Sequence, residues 1–279
     1  MKGLVFGRGF LGTRIANYLG YKVIGREIAD ATDLSDIEKI LDIEKPDVVI
    51  NAIGKTGRPN IDWCETHKEE TILSNVSAAV NLSSACALRG IYFVHLGSGC
   101  MYLGDKGGEG FTEDDEPNFY GPQFYAKTKI LAEKAITASN PSALILRVRM
   151  PVDDHPDERN LIDKIKKYEN LIDVKNSMTT VPHLLGAIKQ LIEERKTGVY
   201  NLVNPGIISP FEIMEAYKKI ADSSHNFGKF SLRELNQITL GTRSNCYLNT
   251  DKLKNAGITL PEIHEAVEEC LLQYKEHLK

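Results

Sequence analysis

Tyr125-Ala-Lys-Thr-Lys129 sets a phenol and an ammonium four residues apart. On a helix that spacing puts both side chains on one face. A lysine ammonium beside a phenol favours the phenolate and lowers a pKa that starts near about 10. A tyrosine so placed exchanges a proton with a substrate oxygen near neutral pH. Alone, the pair also describes many solvated helices. Here it has company: Ser98, in Gly97-Ser-Gly-Cys100 after the apolar run Ile91 to Leu96, and a glycine-rich turn near the start of the chain.

That turn follows Lys2-Gly-Leu-Val-Phe6, a run fit for a buried parallel strand. Gly7-Arg8-Gly9-Phe10-Leu11-Gly12 comes next, and Leu11, Ile15 and Leu19 then share one helical face. Strand, GxGxxG and helix is the context of a dinucleotide fingerprint. The glycines let backbone N–H groups and a helix N-terminus approach a pyrophosphate. A plain glycine turn is the bland alternative. The next strand, Tyr21 to Ile24, ends in Gly25-Arg26, where an NAD-binding unit usually carries an acidic residue. A guanidinium suits a 2′-phosphate, so NADPH is the expected coenzyme. Glu27 keeps NADH open.

Asp33-Leu34 precedes a helical stretch holding Ile37, Ile40 and Leu41. A further buried strand begins at Asp47 and ends in the small residues Ala52-Ile53-Gly54. Ligands of open α/β sheets lie outside such strand ends. Asp33, Leu34, Ala52, Ile53 and Gly54, with Tyr125 and Lys129, therefore join the glycine turn and Arg26 as expected cofactor contacts.

The elements that must position these groups alternate from residue 2 to about 150. A helix is expected from Thr66 to Leu88, and Gly121-Pro122 leads into the helix of Tyr125 and Lys129. Ala143 to Val148 is the last strand of this half. Alternation of this kind means an α/β fold, a right-handed, doubly wound parallel sheet of Rossmann type. Beyond it, Leu161 to Tyr168, Leu184 to Glu194, Pro210 to Ala221 and a stretch from about Pro261 read as helices; Met178 to Val181 and Gly198 to Val203 read as strands. The expected division is 1–150, an NADP-binding domain, and 151–279, a smaller C-terminal α/β substrate region interleaved with it around 178–205.

Charged residues are 26% and hydrophobic residues 42%, the balance of a soluble globular protein. Net charge is −4, which gives a nucleic-acid surface no support. No apolar run approaches about 18 residues, so no membrane span is expected. The first residues read at once as a strand, so no signal peptide is expected. The five cysteines lack a CxxC or a histidine cluster, so cytosolic thiols are expected, with no metal site.

Gly7-x-Gly9-x-x-Gly12, Ser98 and Tyr125-x-x-x-Lys129 together resemble an extended short-chain dehydrogenase/reductase. Residues 51–65, Asn-Ala-Ile-Gly-Lys-Thr-Gly-Arg-Pro-Asn-Ile-Asp-Trp-Cys-Glu, look like the nucleotide-rhamnose synthase/epimerase-reductase family, related to dTDP-4-dehydrorhamnose reductase. So do Arg147-Val-Arg-Met-Pro151, Asn176-Ser-Met178, Asn204-Pro-Gly206 and Arg243-Ser-Asn245. The family's phosphate turn usually reads GxxGxxG, and here it is one residue shorter.

The resemblance implies a substrate and two reactions. The family takes UDP-4-keto-6-deoxy-glucose, inverts C3 and C5, and reduces the C4 ketone with NADPH to UDP-L-rhamnose. Both carbons flank the ketone, so an enolate acidifies their protons. Ser98 and Tyr125 would hydrogen-bond that oxygen. By resemblance, Cys100 and Lys164 are the acid and base of inversion, and Arg58, Asn60, Asn160, Arg243 and Asn245 contact the substrate. The bland readings are a buried thiol for Cys100 and a solvated helix face for Lys164. Two alternatives stand beside the bifunctional enzyme: a dTDP-4-dehydrorhamnose reductase that performs ketoreduction only, and a non-catalytic NADP-binding regulatory subunit. UDP against dTDP stays open, and so does a homodimer.

Overall fold

The computed structural model of the chain describes every residue except Tyr120 and Pro122, so the Pro122 expected to lead into the Tyr125 helix lies outside the described residues. The chain divides into two units, 1–101 with 120–147 and 191–200, and 102–119 with 148–190 and 201–279. Residues 102–119, expected in the first domain, fold with the second unit.

In the first unit six strands form one sheet: β1 (Gly3–Phe6), β2 (Lys22–Ile24), β3 (Val48–Asn51), β4 (Tyr92–Ser98), β5 (Leu144–Val148) and β6 (Gly198–Asn201). Their order is β2-β1-β3-β4-β5-β6. β1 pairs in parallel with β2 and β3, and β3 with β4. The order reverses at β1, so the ends of β1 and β3 flank the switch point where α/β sheets bind ligands. β1, β3 and β4 are buried along their whole length, as strands covered on both faces must be. Leu4, Phe6, Val49, Phe93 and Ile145 from the sheet meet Ile37, Leu41, Leu82 and Ile136 from the helices in one core.

The helix expected from Thr66 is built in pieces. Trp63–Thr66 forms a turn of its own, and His67 breaks it with φ −125°. Lys68–Leu88 then runs as a 21-residue helical course, with a π-helical turn at Leu73–Ser77 between α-helices Lys68–Ile72 and Ala78–Leu88. By length and composition alone this course is long and apolar enough to cross a membrane, as core helices of globular proteins also are. Scattered Asn and Ser residues hide it from a search for unbroken apolar runs. Its Ala78, Ala79, Leu82, Ala85 and Cys86 pack into the core.

The second unit has its own core, in which Val152, Ile162, Leu171 and Met178 meet Ile213, Tyr217, Ile263, Val267 and Tyr274. Two short parallel pairs brace it: Asn170–Ile172 with Gly228–Phe230, and Pro151–Val152 with Thr179–Thr180. Here the sequence was less readable. The helix expected over Leu161 to Tyr168 stops at Ile165, and the Lys166 side chain after it bonds Asp163 (3.1 Å) and Tyr274 (3.0 Å). The strand expected to reach Val181 ends at Thr180, since Val181-Pro182 opens the helix Val181–Glu193 and proline suits a first turn. β6 ends at Asn201, not Val203, where the Asn201 amide turns to the carbonyls of Phe111 (2.9 Å) and Asn249 (3.0 Å).

One buried ion pair carries weight in the first unit. Arg147 on β5 meets Glu133 on the Phe124–Ser139 helix at 2.6 Å, both side chains under a tenth exposed. Removing one partner of such a pair strands a buried charge and costs about 3–5 kcal/mol. We expect Glu133→Leu to lose stability on that scale in urea unfolding, and the double variant Glu133→Leu/Arg147→Met to recover most of it. Equal instability of the two variants would show that packing, not the stranded charge, sets the cost.

Candidate active site

The glycine turn divides its labour by position. Gly7 has φ +106°, and a Cβ there would lie 2.8 Å from the Ala52 carbonyl carbon. A Cβ on Gly12 would strike the Gly7 carbonyl oxygen at 1.9 Å. Gly9 faces open space, and it caps the Phe10–Leu19 helix without any side-chain hydrogen bond. So the first glycine makes the turn, the last lets helix and turn touch, and the middle one leaves helix N–H groups open to a phosphate. Phe10 and Leu11 form the first turn and are half-buried.

Beside this turn lies a cleft of about 300 Å³, lined by Gly7, Arg8, Gly25, Arg26, Glu27, Asp30, Ala31, Thr32, Ile53, Ser74 and Ala78 among others. Arg8 pairs with Glu27 at 3.0 Å, and Arg26 with Asp30 at 2.8 Å. Both guanidiniums are largely solvent-exposed. The residues fit a dinucleotide: an open helix N-terminus for the pyrophosphate and two arginines at the strand end that meets the ribose. Asp33 and Leu34 were expected here. The structure instead makes Asp33 the N-cap of Leu34–Glu44, accepting from the Ser35 amide at 2.8 Å, and leaves Leu34 exposed. Asp30, Ala31 and Thr32 line the cleft in their place. Asp30 also accepts from the Thr32 amide (2.9 Å) and hydroxyl (2.7 Å), which folds this loop. Ala52 donates to the Phe6 carbonyl at 2.8 Å, and Gly54 is exposed.

Three of the residues expected to transfer protons, Ser98, Cys100 and Tyr125, are found around the end of β4. Ser98 is its last residue, and the Ser98 hydroxyl accepts from the Cys100 amide at 3.1 Å. Burial raises the Tyr125 pKa, Cys100 raises it further, and the nearby Ser98 hydroxyl opposes both. Lys129 is buried, with Nζ donating to the Leu96 carbonyl at 2.9 Å and lying 3.4 Å from His95 Nε2. Burial lowers its pKa to about 8, against the attraction of Glu133 and Cys100. The expectation that Lys129 depresses the phenol is thus corrected. The ammonium is committed to the strand, and the phenol stays protonated, which suits a proton donor.

The helix bearing these groups is tied down from outside. Gln123 gives it no side-chain cap, and Glu65 serves instead, accepting from the Phe124 amide at 2.6 Å. Asn75, buried in the π-turn, accepts from the Lys55 amide (2.6 Å) and donates to the Thr128 hydroxyl (3.1 Å). Thr128 in turn donates to the Tyr125 carbonyl at 2.7 Å. Such π-turns recur at functional sites.

Elsewhere in the first unit, Arg58 is exposed and Asn60 accepts from the Asp62 amide at 2.8 Å. In the second unit, Lys164 is half-buried on Leu161–Ile165, and burial followed by Arg159 lowers its pKa. Asn160, expected on the substrate, uses its amide on its own loop. It accepts from the Asp153 and Ile162 amides and donates to the Asp153 and His155 carbonyls. Arg243 donates to the Gly241 carbonyl at 2.9 Å, and Asn245 accepts from Asn176 at 2.9 Å.

Residues 1–276 match the family model described as RmlD substrate binding domain. The chain belongs to that family. It is an enzyme chain of the extended short-chain dehydrogenase type. A bifunctional dTDP-4-dehydrorhamnose 3,5-epimerase/dTDP-4-dehydrorhamnose reductase of Arabidopsis thaliana is 40% identical over 240 residues, 84% of this chain and 78% of that protein. A trifunctional UDP-glucose 4,6-dehydratase/UDP-4-keto-6-deoxy-D-glucose 3,5-epimerase/UDP-4-keto-L-rhamnose-reductase of the same plant is 34% identical over 287 residues. This RmlD-family chain covers only 42% of that protein's length. The crystal structure of a UDP-rhamnose synthase from Acanthamoeba polyphaga mimivirus matches with TM-score 0.91 and 30% identity, over 98% of this chain and 99% of that one.

Sequence reading of the RmlD-type site missed Glu65, Asn75, His95 and Thr128. His95 carried a signal, as a lone imidazole inside the apolar run Ile91 to Leu96. Glu65 and Asn75 act on the helix of Tyr125 from distant segments, which the spacing of residues does not mark. The burial map makes a prediction about the thiols. Cys64, Cys86, Cys246 and Cys270 are buried, burial raises Cys64 and pushes Cys86 up to about 12, and Cys100 is half-buried. Iodoacetamide at mildly alkaline pH should modify Cys100 first by peptide mass spectrometry. Faster modification of Cys64 or Cys86 would contradict the burial map.

Proposed function

We propose that the chain is a bifunctional 3,5-epimerase/4-reductase that turns a nucleotide-linked 4-keto-6-deoxy-glucose into the corresponding L-rhamnose, working in the cytosol with NADPH. The observation that carries this reading is the cluster at the end of β4. The Cys100 amide bonds the Ser98 hydroxyl, and that hydroxyl lies near enough to Tyr125 to lower its pKa, so Ser98 and Cys100 share the turn that the Tyr125 helix faces. We assign UDP as the nucleotide, because the mimivirus synthase resembles this chain over the full length of both.

Ser98 and Tyr125 hold the C4 oxygen. As charge develops there during enolisation, these donors stabilise it. Cys100 exchanges a proton at a ring carbon beside the ketone, and Lys164 provides the partner group for inversion. Bound NADPH supplies hydride to C4. Tyr125 then delivers its proton to the oxygen, a role suited to a phenol whose pKa is raised. Arg8 and Arg26 leave Glu27 and Asp30 to take the 2′-phosphate at the rim of the cleft.

Incubation with UDP- and dTDP-4-keto-6-deoxy-glucose plus NADPH, with the product identified by NMR, tests the whole reading. The expected product is UDP-L-rhamnose, and the Tyr125→Phe variant should form it about 10²–10⁴-fold more slowly. Reduction of an L-configured ketone with no inversion of the D-sugar would leave a reductase only. The arginine roles are tested by coenzyme titration. Arg26→Ala should weaken NADPH far more than NADH, and an unchanged preference would remove Arg26 from the 2′-phosphate. In D₂O without coenzyme, the wild type should exchange the C3 and C5 protons, while Cys100→Ser and Lys164→Met suppress exchange. Cys100→Ser should still reduce the L-ketone, and equal loss of both activities would mean that Cys100 only shapes the site.

A further inference from the structure

Behind Lys129 lies a line of buried polar groups that the reaction above does not use. It starts at the cofactor cleft. The Ile53 amide, on a residue that lines the cleft, donates to Asn51 Oδ1 at 2.9 Å. A backbone N–H has one polarity, so this bond fixes which end of the Asn51 amide is oxygen. The NH₂ end then points at His95 Nδ1, 3.1 Å away. Nδ1 must accept, so the imidazole carries its single proton on Nε2. Asn51 and His95 are both fully buried. Burial and the nearby Lys129 charge hold the His95 pKa well below its ordinary value, so the ring is neutral. The Nε2–H faces Lys129 Nζ at 3.4 Å.

We propose that Asn51 and His95 are positioning residues that set the protonation of Lys129. An imidazole N–H opposes an ammonium and welcomes the lone pair of an amine. Lys129 is thereby made a readier proton donor. The amine formed when Lys129 loses a proton accepts a hydrogen bond from His95 Nε2–H. The charged and titratable groups facing Lys129 are Glu133 one turn along its helix, paired with Arg147 on β5, Cys100 after β4, and His95 on β4. Of these, His95 alone has its proton placed by a backbone amide of the cleft. The same line couples Lys129 to Ile53, because the opposite tautomer would turn the Asn51 amide away from the Ile53 N–H.

The inference rests on the reductase reading for its kinetic arm only. ¹⁵N NMR of histidine-labelled enzyme reads the tautomer directly, and the expected result is His95 protonated on Nε2 with a bare Nδ1. A bare Nε2, or a doubly protonated ring at neutral pH, overturns the proposal whatever the enzyme catalyses. The Lys129 ammonium is followed by ¹³Cε titration, with its resonance assigned by its loss in Lys129→Met. It should titrate at about 8 in the wild type. In His95→Phe, or in His95→Gln should the first not fold, its proton affinity should rise about tenfold. The alkaline limb of ketone reduction should move to higher pH with it. An unchanged or lowered Lys129 midpoint in the folded variant overturns the proposal. A raised midpoint with no keto-sugar reduction in the wild type would leave the inference standing and count against the proposed reaction.

Discussion

The hydrogen bond from Lys129 Nζ to the Leu96 carbonyl is the constraint on which the rest of the site depends. It joins the Phe124–Ser139 helix to β4 at the level where β4 is about to end in Ser98. A buried ammonium needs such an acceptor, since an uncompensated charge in the interior costs several kcal/mol. Once the lysine is anchored, Tyr125 one turn earlier on the helix is brought to Ser98. The helix start is then secured by Glu65 and by Asn75 through Thr128, each drawn from a different segment of the first unit. The placing of Ser98 and Tyr125 is a by-product of how a strand and a helix are fastened together.

Some of this was legible in the residues and some was not, for physical reasons. The glycine turn was readable because its demands fall on the backbone: a positive φ at Gly7 and a near-contact at Gly12 leave glycine as the one suitable residue. The six-stranded sheet was readable because its buried strands are continuous apolar runs. The Tyr125–Lys129 spacing correctly marked the helix, yet it suggested that lysine and phenol answer to each other. Only the tertiary structure reveals the competing carbonyl of Leu96. Asp33 was picked for the cofactor by its nearness to a helix start, and that nearness made it a cap. The cleft residues Asp30 to Thr32 sit in an irregular loop, where no period exists to be read.

The motifs that carried the family resemblance in the second half act mainly as fastenings. Arg149 is buried, and its guanidinium bonds Asn176 and both the hydroxyl and the carbonyl of Ser244. Asn176 Oδ1 also accepts from the Cys246 amide at 3.0 Å. Asn204 takes the Thr180 amide and hydroxyl at 2.8 Å each and donates to the Pro261 carbonyl. Such ties hold irregular chain that has few ladder hydrogen bonds of its own, and an unpaired buried polar group is costly. A signature can therefore be highly specific to a family and still say little about which atoms meet the substrate. Asn160, a helix cap closed on its own loop, makes the same point.

The way the chain threads its two units bears on how it is made. The edge strand β6 hydrogen-bonds to the start of β5 through the Gly198 amide and the Ala143 carbonyl, at 2.8 Å. Between these two strands in the sequence lie residues 149–190, which belong to the other unit. A ribosome therefore finishes β5 long before it delivers the strand that covers it. During that interval the nascent sheet shows a bare edge, a template for pairing with other chains. Contacts so distant along the chain also make folding slow. In the finished molecule β6 covers that edge.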